Sequence, residues 1–225
     1  MADTMRVAVE NGPKGKKVAV WAVDWPGLQR GAKTADLALE RLATYVPRYI
    51  RVAELAGQAD AFETDVTLDV VDEYLGPGST DFWGISFGHS DLDRLPMSDE
   101  ELERELALLH ACWTYFDEVR NRVSDELRKG PRGGGRDREL VVRHVIGCEY
   151  DWGKGIGVEP LPEGEWRDDD KLRIYHAAYA DAIRSHHAEG KMAKKWPLHY
   201  MIRHTAFHVL DHTWEMEDRD LTGEA

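Results

Sequence analysis

Apolar residues recur along this chain in two rhythms, and the change from one to the other divides it. Met5–Glu10 and Lys17–Asp24 are short runs rich in Val, Ala and Trp, joined by Asn11-Gly12-Pro13-Lys14-Gly15. That is the pattern of a hairpin. Pro26-Gly27 breaks the second run. Thr34 is placed to cap a helix reaching Ala56, with Leu37, Leu39, Leu42 and Tyr45 as its apolar face and Pro47 expected to kink or divide it. Val66, Leu68 and Val70 alternate with polar partners within Asp65–Tyr74, as in a half-buried strand. Gly76-Pro77-Gly78-Ser79 closes the segment. The expectation for residues 1–80 is a small antiparallel sheet carrying one helix. Residues 81–96 read as an irregular linker.

From residue 97 the rhythm is helical. Ser98 precedes Asp99, Glu100 and Glu101, a cap and an acidic first turn suited to the helix dipole. Leu102, Leu106, Leu109, Trp113, Phe116, Val119 and Val123 then repeat at three- and four-residue spacing, with the end expected near Lys129-Gly130-Pro131. Further helices are expected over about 137–152, about 168–189 and from Trp196-Pro197 to about 218. Four amphipathic helices in succession predict an antiparallel four-helix bundle over 97–225, in which sites are built from inward-facing side chains. The fold class read from the pattern is therefore α+β, a small antiparallel sheet followed by that bundle.

Composition narrows the function classes. Of 225 residues, 42% are hydrophobic and 32% charged, which is a globular balance. The net charge of −13 argues against nucleic-acid binding, since phosphates require a basic surface. The densest basic stretch, Arg128 to Arg136, lacks the Gly-Lys-Ser/Thr ending of a phosphate loop and reads as a solvated loop. No apolar run approaches the ~20 residues that cross a bilayer, and the first residues lack the apolar core of an export signal. Two cysteines, Cys112 and Cys148, fit a reducing compartment. A cytoplasmic protein with no membrane partner is expected.

The chemistry lies in the histidines. His208 and His212 are four apart and share a helix face, as do His204 and His208. His204 and His212 stand ~12 Å apart along the axis, too far for metal–nitrogen bonds of ~2.1 Å to one ion. The helix therefore supplies two ligands, and a third must come from elsewhere. His144, amid apolar neighbours in the second predicted helix, is the strongest candidate, with Cys148 next and His176 after it. Imidazoles suit Zn, Ni, Fe or Cu. Carboxylates available to orient imidazoles or accept a proton are Asp211, Glu215 and Glu149. Asp211 and Glu215 are equally accounted for by pairing with Arg203 or Arg219. Tyr150, Trp152 and Trp214 are candidates to line a pocket.

A histidine in the second helix of a bundle followed by His-x-x-x-His in the fourth resembles the DinB-like (YfiT-like) metal-binding superfamily. Arg143-His144-Val-Ile-Gly-Cys-Glu149 and Phe207-His208-Val-Leu-Asp-His212-Thr-Trp-Glu-Met-Glu-Asp-Arg219 carry the likeness, over about residues 97–220. The resemblance implies His144, His208 and His212 as ligands of a divalent metal, Zn or Ni. It also implies a metal-dependent transferase or isomerase using a low-molecular-weight thiol, or a hydrolase, acting on a small-molecule substrate. Trp25-Pro26-Gly27-Leu28, Arg30-Gly31-Ala32 and the Thr34 helix are similar to HicB-like domains. That likeness implies a second reading, a non-catalytic regulatory module in which the N-terminal domain engages a protein partner and the metal is structural. Both resemblances are compatible with a homodimer.

Overall fold

The computed structural model describes residues 3–130 and 134–223. The centre of the basic loop, residues 131–133, thus lies outside the described residues. The chain is α+β and divides into two compact units: Met1–Cys112 with His199–Phe207, and Trp113–Leu198 with His208–Ala225. No helix among the described residues is long and apolar enough to cross a membrane.

The first unit is built on four strands: β1 (Asp3–Asn11), β2 (Val18–Ala22), β3 (Gln29–Ala32) and β4 (Val66–Leu75), in the order β3-β2-β1-β4. β1 and β2 form the expected hairpin, and Asp81 holds its turn by accepting the Lys14 and Lys16 amides, each at 2.7 Å. The sheet is mixed, which corrects the antiparallel expectation, because β4 runs parallel to β1. A parallel pair needs a crossover, and the helix α1 (Ala35–Leu55) supplies it between β3 and β4.

Thr34 caps α1 through a bond from the Leu37 amide at 3.3 Å. The helix continues through Pro47 without dividing. Its buried stripe is Ala38, Leu42, Val46, Tyr49, Val52 and Ala53; Leu37 is exposed. Every residue of β2 is buried, so both sheet faces are covered there. The guanidinium of Arg203 lies 3.8 Å from the Trp21 ring centroid.

The segment after β4 is ordered by two charged hubs. The short helix α2 (Gly78–Trp83) opens it. Buried Glu10 accepts bonds from Ser86 Oγ at 2.6 Å, Tyr74 Oη at 2.8 Å and the Phe87 and Gly88 amides at 3.0 Å. A Cβ at Gly76 would stand 2.1 Å from its carboxylate, so glycine is what lets the chain pass. Buried Arg203 makes a two-pronged pair with Asp93, at 2.6 and 2.8 Å, and reaches Ser86 Oγ at 3.0 Å. Residues 81–96 are thus a bonded part of the first unit.

Four long helices follow: α3 (Asp99–Arg122), α4 (Arg138–Gly153), α5 (Asp169–Ala188) and α6 (Leu198–Asp218). Ser98 Oγ accepts the Glu101 amide at 3.1 Å and Asp168 caps α5. The end of α3 falls before the expected Lys129, because the Ser124 amide bonds the Asp220 carboxylate at 2.9 Å and leaves the helical ladder. Within the second unit, Trp113 Nε1 on α3 donates to Glu149 on α4 at 2.6 Å, and Tyr115 donates to Glu217 on α6 at 2.8 Å. His176 on α5 stacks on Trp113 with ring centroids 4.1 Å apart.

Candidate metal centre

α4 and α6 bring three imidazoles together in the second unit. The ring centroids of His144, His208 and His212 form a near-equilateral triangle, 5.0, 4.9 and 4.7 Å on a side. Local helix geometry accounts for this. His208 and His212 differ by about 40° around α6, so both face α4, where His144 is flanked by buried Val141, Val142, Val145 and Ile146. His144 Nε2 and His208 Nε2 are 3.2 Å apart. Two nitrogens held at ~2.1 Å by one tetrahedral ion would stand about 3.4 Å apart, so these two are close to a ligand spacing.

The His212 ring is turned by what lies behind it. His212 Nδ1 is 2.6 Å from Glu215 Oε2. A carboxylate can only accept, so Nδ1 donates, and in the neutral ring Nε2 is the nitrogen that carries the lone pair. Glu215 is in turn held by Arg219 at 2.7 Å. The bond from His212, ahead of the charge of Arg219, keeps its carboxyl below the usual range. A carboxylate behind an imidazole fixes its tautomer and raises its basicity as a ligand. Burial, and then the nearby His212, push His144 down to about 4, so it is neutral at neutral pH. Neutral imidazole is the form that binds metal.

Cys148 is drawn into the group. Its Sγ is 3.9 Å from His144 Nδ1, the ring nitrogen that does not face His208. The donor atoms within 4.8 Å of one another are those of His144, Cys148 and His208, while His212 joins the triangle by its ring-centroid distances. Burial raises the thiol's pKa, with Asp151 and Glu149 adding to it, so sulfur stays protonated without a cation beside it. Trp152 packs edge-on to His208, with centroids 5.1 Å apart. The charge of Arg136, from the basic loop, is felt at His144, Cys148 and Glu215. The sequence pattern had assigned that loop to solvent alone.

Other candidates lie elsewhere. Glu149 is fully buried between Trp113 Nε1 and His176 Nε2, the latter at 3.1 Å; five positions beyond His144, it points about 140° away. His176 is therefore a core partner of Glu149. Tyr150 lines a separate cavity of about 350 Å³ with Arg143, Leu161 and Trp166. Trp214 is buried, on the side of α6 about 120° from His208. Asp211 is half-buried, and the His212 proton goes to Glu215 instead of to it. Arg203, an expected partner of the α6 carboxylates, is committed to Asp93 in the first unit. His204 is also in the first unit, stacked on Tyr200. His186 bonds the Ala182 carbonyl at 2.9 Å, as a residue near a helix C-terminus does.

No protein-family model matches the chain, and no curated protein or solved structure matches it either.

Proposed function

We propose that the second unit is a divalent-metal site in which His144, His208 and His212 hold Zn²⁺ or Ni²⁺ and leave a position open for a small-molecule nucleophile. The observation that carries this reading is the triangle of three imidazoles, with two Nε2 atoms facing at 3.2 Å and the third ring oriented by a carboxylate. Three neutral ligands leave the full dication charge in place, which acidifies a bound water and deprotonates a bound thiol. The chain's own part is to hold and orient. Glu215 keeps His212 in its ligand tautomer. Trp152 shields one side of His208. Arg136 adds positive charge felt at His144, Cys148 and Glu215, favouring an anionic substrate or thiolate. The likeness to DinB-like proteins and their four-helix bundle adds a low-molecular-weight thiol as the cosubstrate to try first, for transfer or isomerisation, with hydrolysis as the alternative.

His208→Ala should remove most of the metal measured by elemental analysis of purified protein, and full retention would overturn the ligand assignment. Titration with Zn²⁺ or Ni²⁺ should raise the melting temperature of wild-type protein by mass action.

Cys148 motivates a second reading, a closed structural site of three histidines and one thiolate, which would suit a regulatory module. Its sulfur sits by Nδ1 of His144 while Nε2 faces His208. A ring binding through Nε2 leaves Cys148 behind it, which favours the open site. Cys148→Ser should then leave metal content unchanged; a drop to the level of His208→Ala would favour the closed one.

A further inference from the structure

The first unit carries a second cluster of metal-type donors. Glu101 and Glu105 are one turn apart on α3, and His199 stands at the start of α6; donor atoms of the three lie within 4.8 Å of one another. Glu105 is only 4% exposed. One of its oxygens takes a bond from His199 Nδ1 at 2.9 Å. The other, Oε2, is buried and has no hydrogen-bond partner among the described residues. A buried carboxylate oxygen left unsatisfied is costly, and it calls for something that binds there.

The three residues border a cavity of about 290 Å³ whose wall also includes Arg6, Asp24, Asp93, Arg104 and Arg203. The wall's own cations are spent elsewhere. Arg6 pairs with Asp24, Arg104 donates to the Asp24 carbonyl at 2.8 Å, and Arg203 is held by Asp93. None of them satisfies Glu105 Oε2.

We propose that Glu101, Glu105 and His199 form a second site for a divalent cation, independent of the three-histidine centre. Two carboxylates and one imidazole suit Zn²⁺ or Mn²⁺. Ion binding replaces the hydrogen bond between His199 Nδ1 and Glu105 and releases the Nδ1 proton to solvent. The 2.9 Å spacing of Nδ1 and Glu105 is close to the about 3 Å between adjacent donors on an octahedral ion with ~2.1 Å bonds. An ion there clamps the first turns of α3 to the first turn of α6. The competing arrangement is a protonated His199 paired with Glu105 and no ion.

The test is a Zn²⁺ titration of metal-stripped full-length protein against a chromophoric chelator, counting equivalents. Wild-type protein should bind two, His208→Ala one, and Glu105→Gln or His199→Ala one. Glu101→Gln, at a half-exposed position, should weaken the second equivalent at least tenfold and serves if the Glu105 variant does not fold. An equivalent that persists in His208→Ala and is weakened at least tenfold in Glu101→Gln upholds the site even if the histidine centre fails. Stoichiometry untouched by Glu101→Gln and His199→Ala overturns it, as does a wild-type protein that takes up no ion.

Discussion

At the scale of single residues, Arg203 shows how far a surface reading can miss. In sequence it is one of several charges on an amphipathic helix. In the structure it is buried over Trp21 and bonded to Asp93 and Ser86. Breaking a buried pair strands the remaining charge, at about 3–5 kcal/mol. Arg203→Met should therefore lower the stability measured by urea unfolding by about that amount, and adding Asp93→Asn should recover part of the loss. Glu215→Gln is a subtler change. It keeps the shape behind His212 but removes the charge, so metal affinity in a chelator competition should fall by roughly 10–100-fold, with little change in fold. Spacing alone showed the His208–His212 pair; His144 was a candidate from its apolar neighbours, and the resemblance joined the three. The surroundings of His144 were partly legible, since 100° per residue puts Cys148 and Trp152 on the His144 side of α4 and turns Glu149 and Tyr150 away. Chain spacing gives no hint that Glu10 and Arg203 gather residues 76–94 around them, because those contacts join positions far apart in sequence.

At the scale of elements, caps were legible and faces less so. Thr34 and Ser98 cap their helices as expected, since a side-chain oxygen meeting nearby amides is a local event. The face of α1 is set by what packs on it. The buried stripe contains Leu42 and leaves Leu37 outside. Leu42→Ala should destabilise by about 2–5 kcal/mol, while Leu37→Ala should stay within about 0.5 kcal/mol. Thermal or chemical unfolding separates the two. β3 escaped notice because Gln29-Arg30-Gly31-Ala32 has no β-branched residue; its pairing with β2 makes it a strand. The direction of β4 was equally hidden, since alternation shows that a strand is half buried but not which way its partner runs.

At the scale of the whole molecule, acid should weaken the fold. Burial, and then the neighbouring Arg203, push His204 down to about 3. Its unfolded value is about 6.5. Between those values the unfolded chain holds the extra proton, so stability rises with pH there and is lost as pH falls from about 6.5 towards 3. Urea midpoints measured from pH 7 to pH 4 should decline, and His204→Phe should flatten the slope. An unchanged slope in that variant would assign the acid sensitivity to other groups.

β4 has a consequence for how the protein behaves at high concentration. It is the edge strand, and it exposes Val70, Val71 and Leu75. Such an edge invites another chain to add to the sheet. Asp69, Asp72 and Glu73 lie on the same strand, with Asp65 just before it, and two copies meeting edge to edge would crowd like charges together. Replacing Asp69, Asp72 and Glu73 with their amides should raise self-association in sedimentation above that of the wild type. These acids, remote from any chemistry, would then be what keeps the molecules apart.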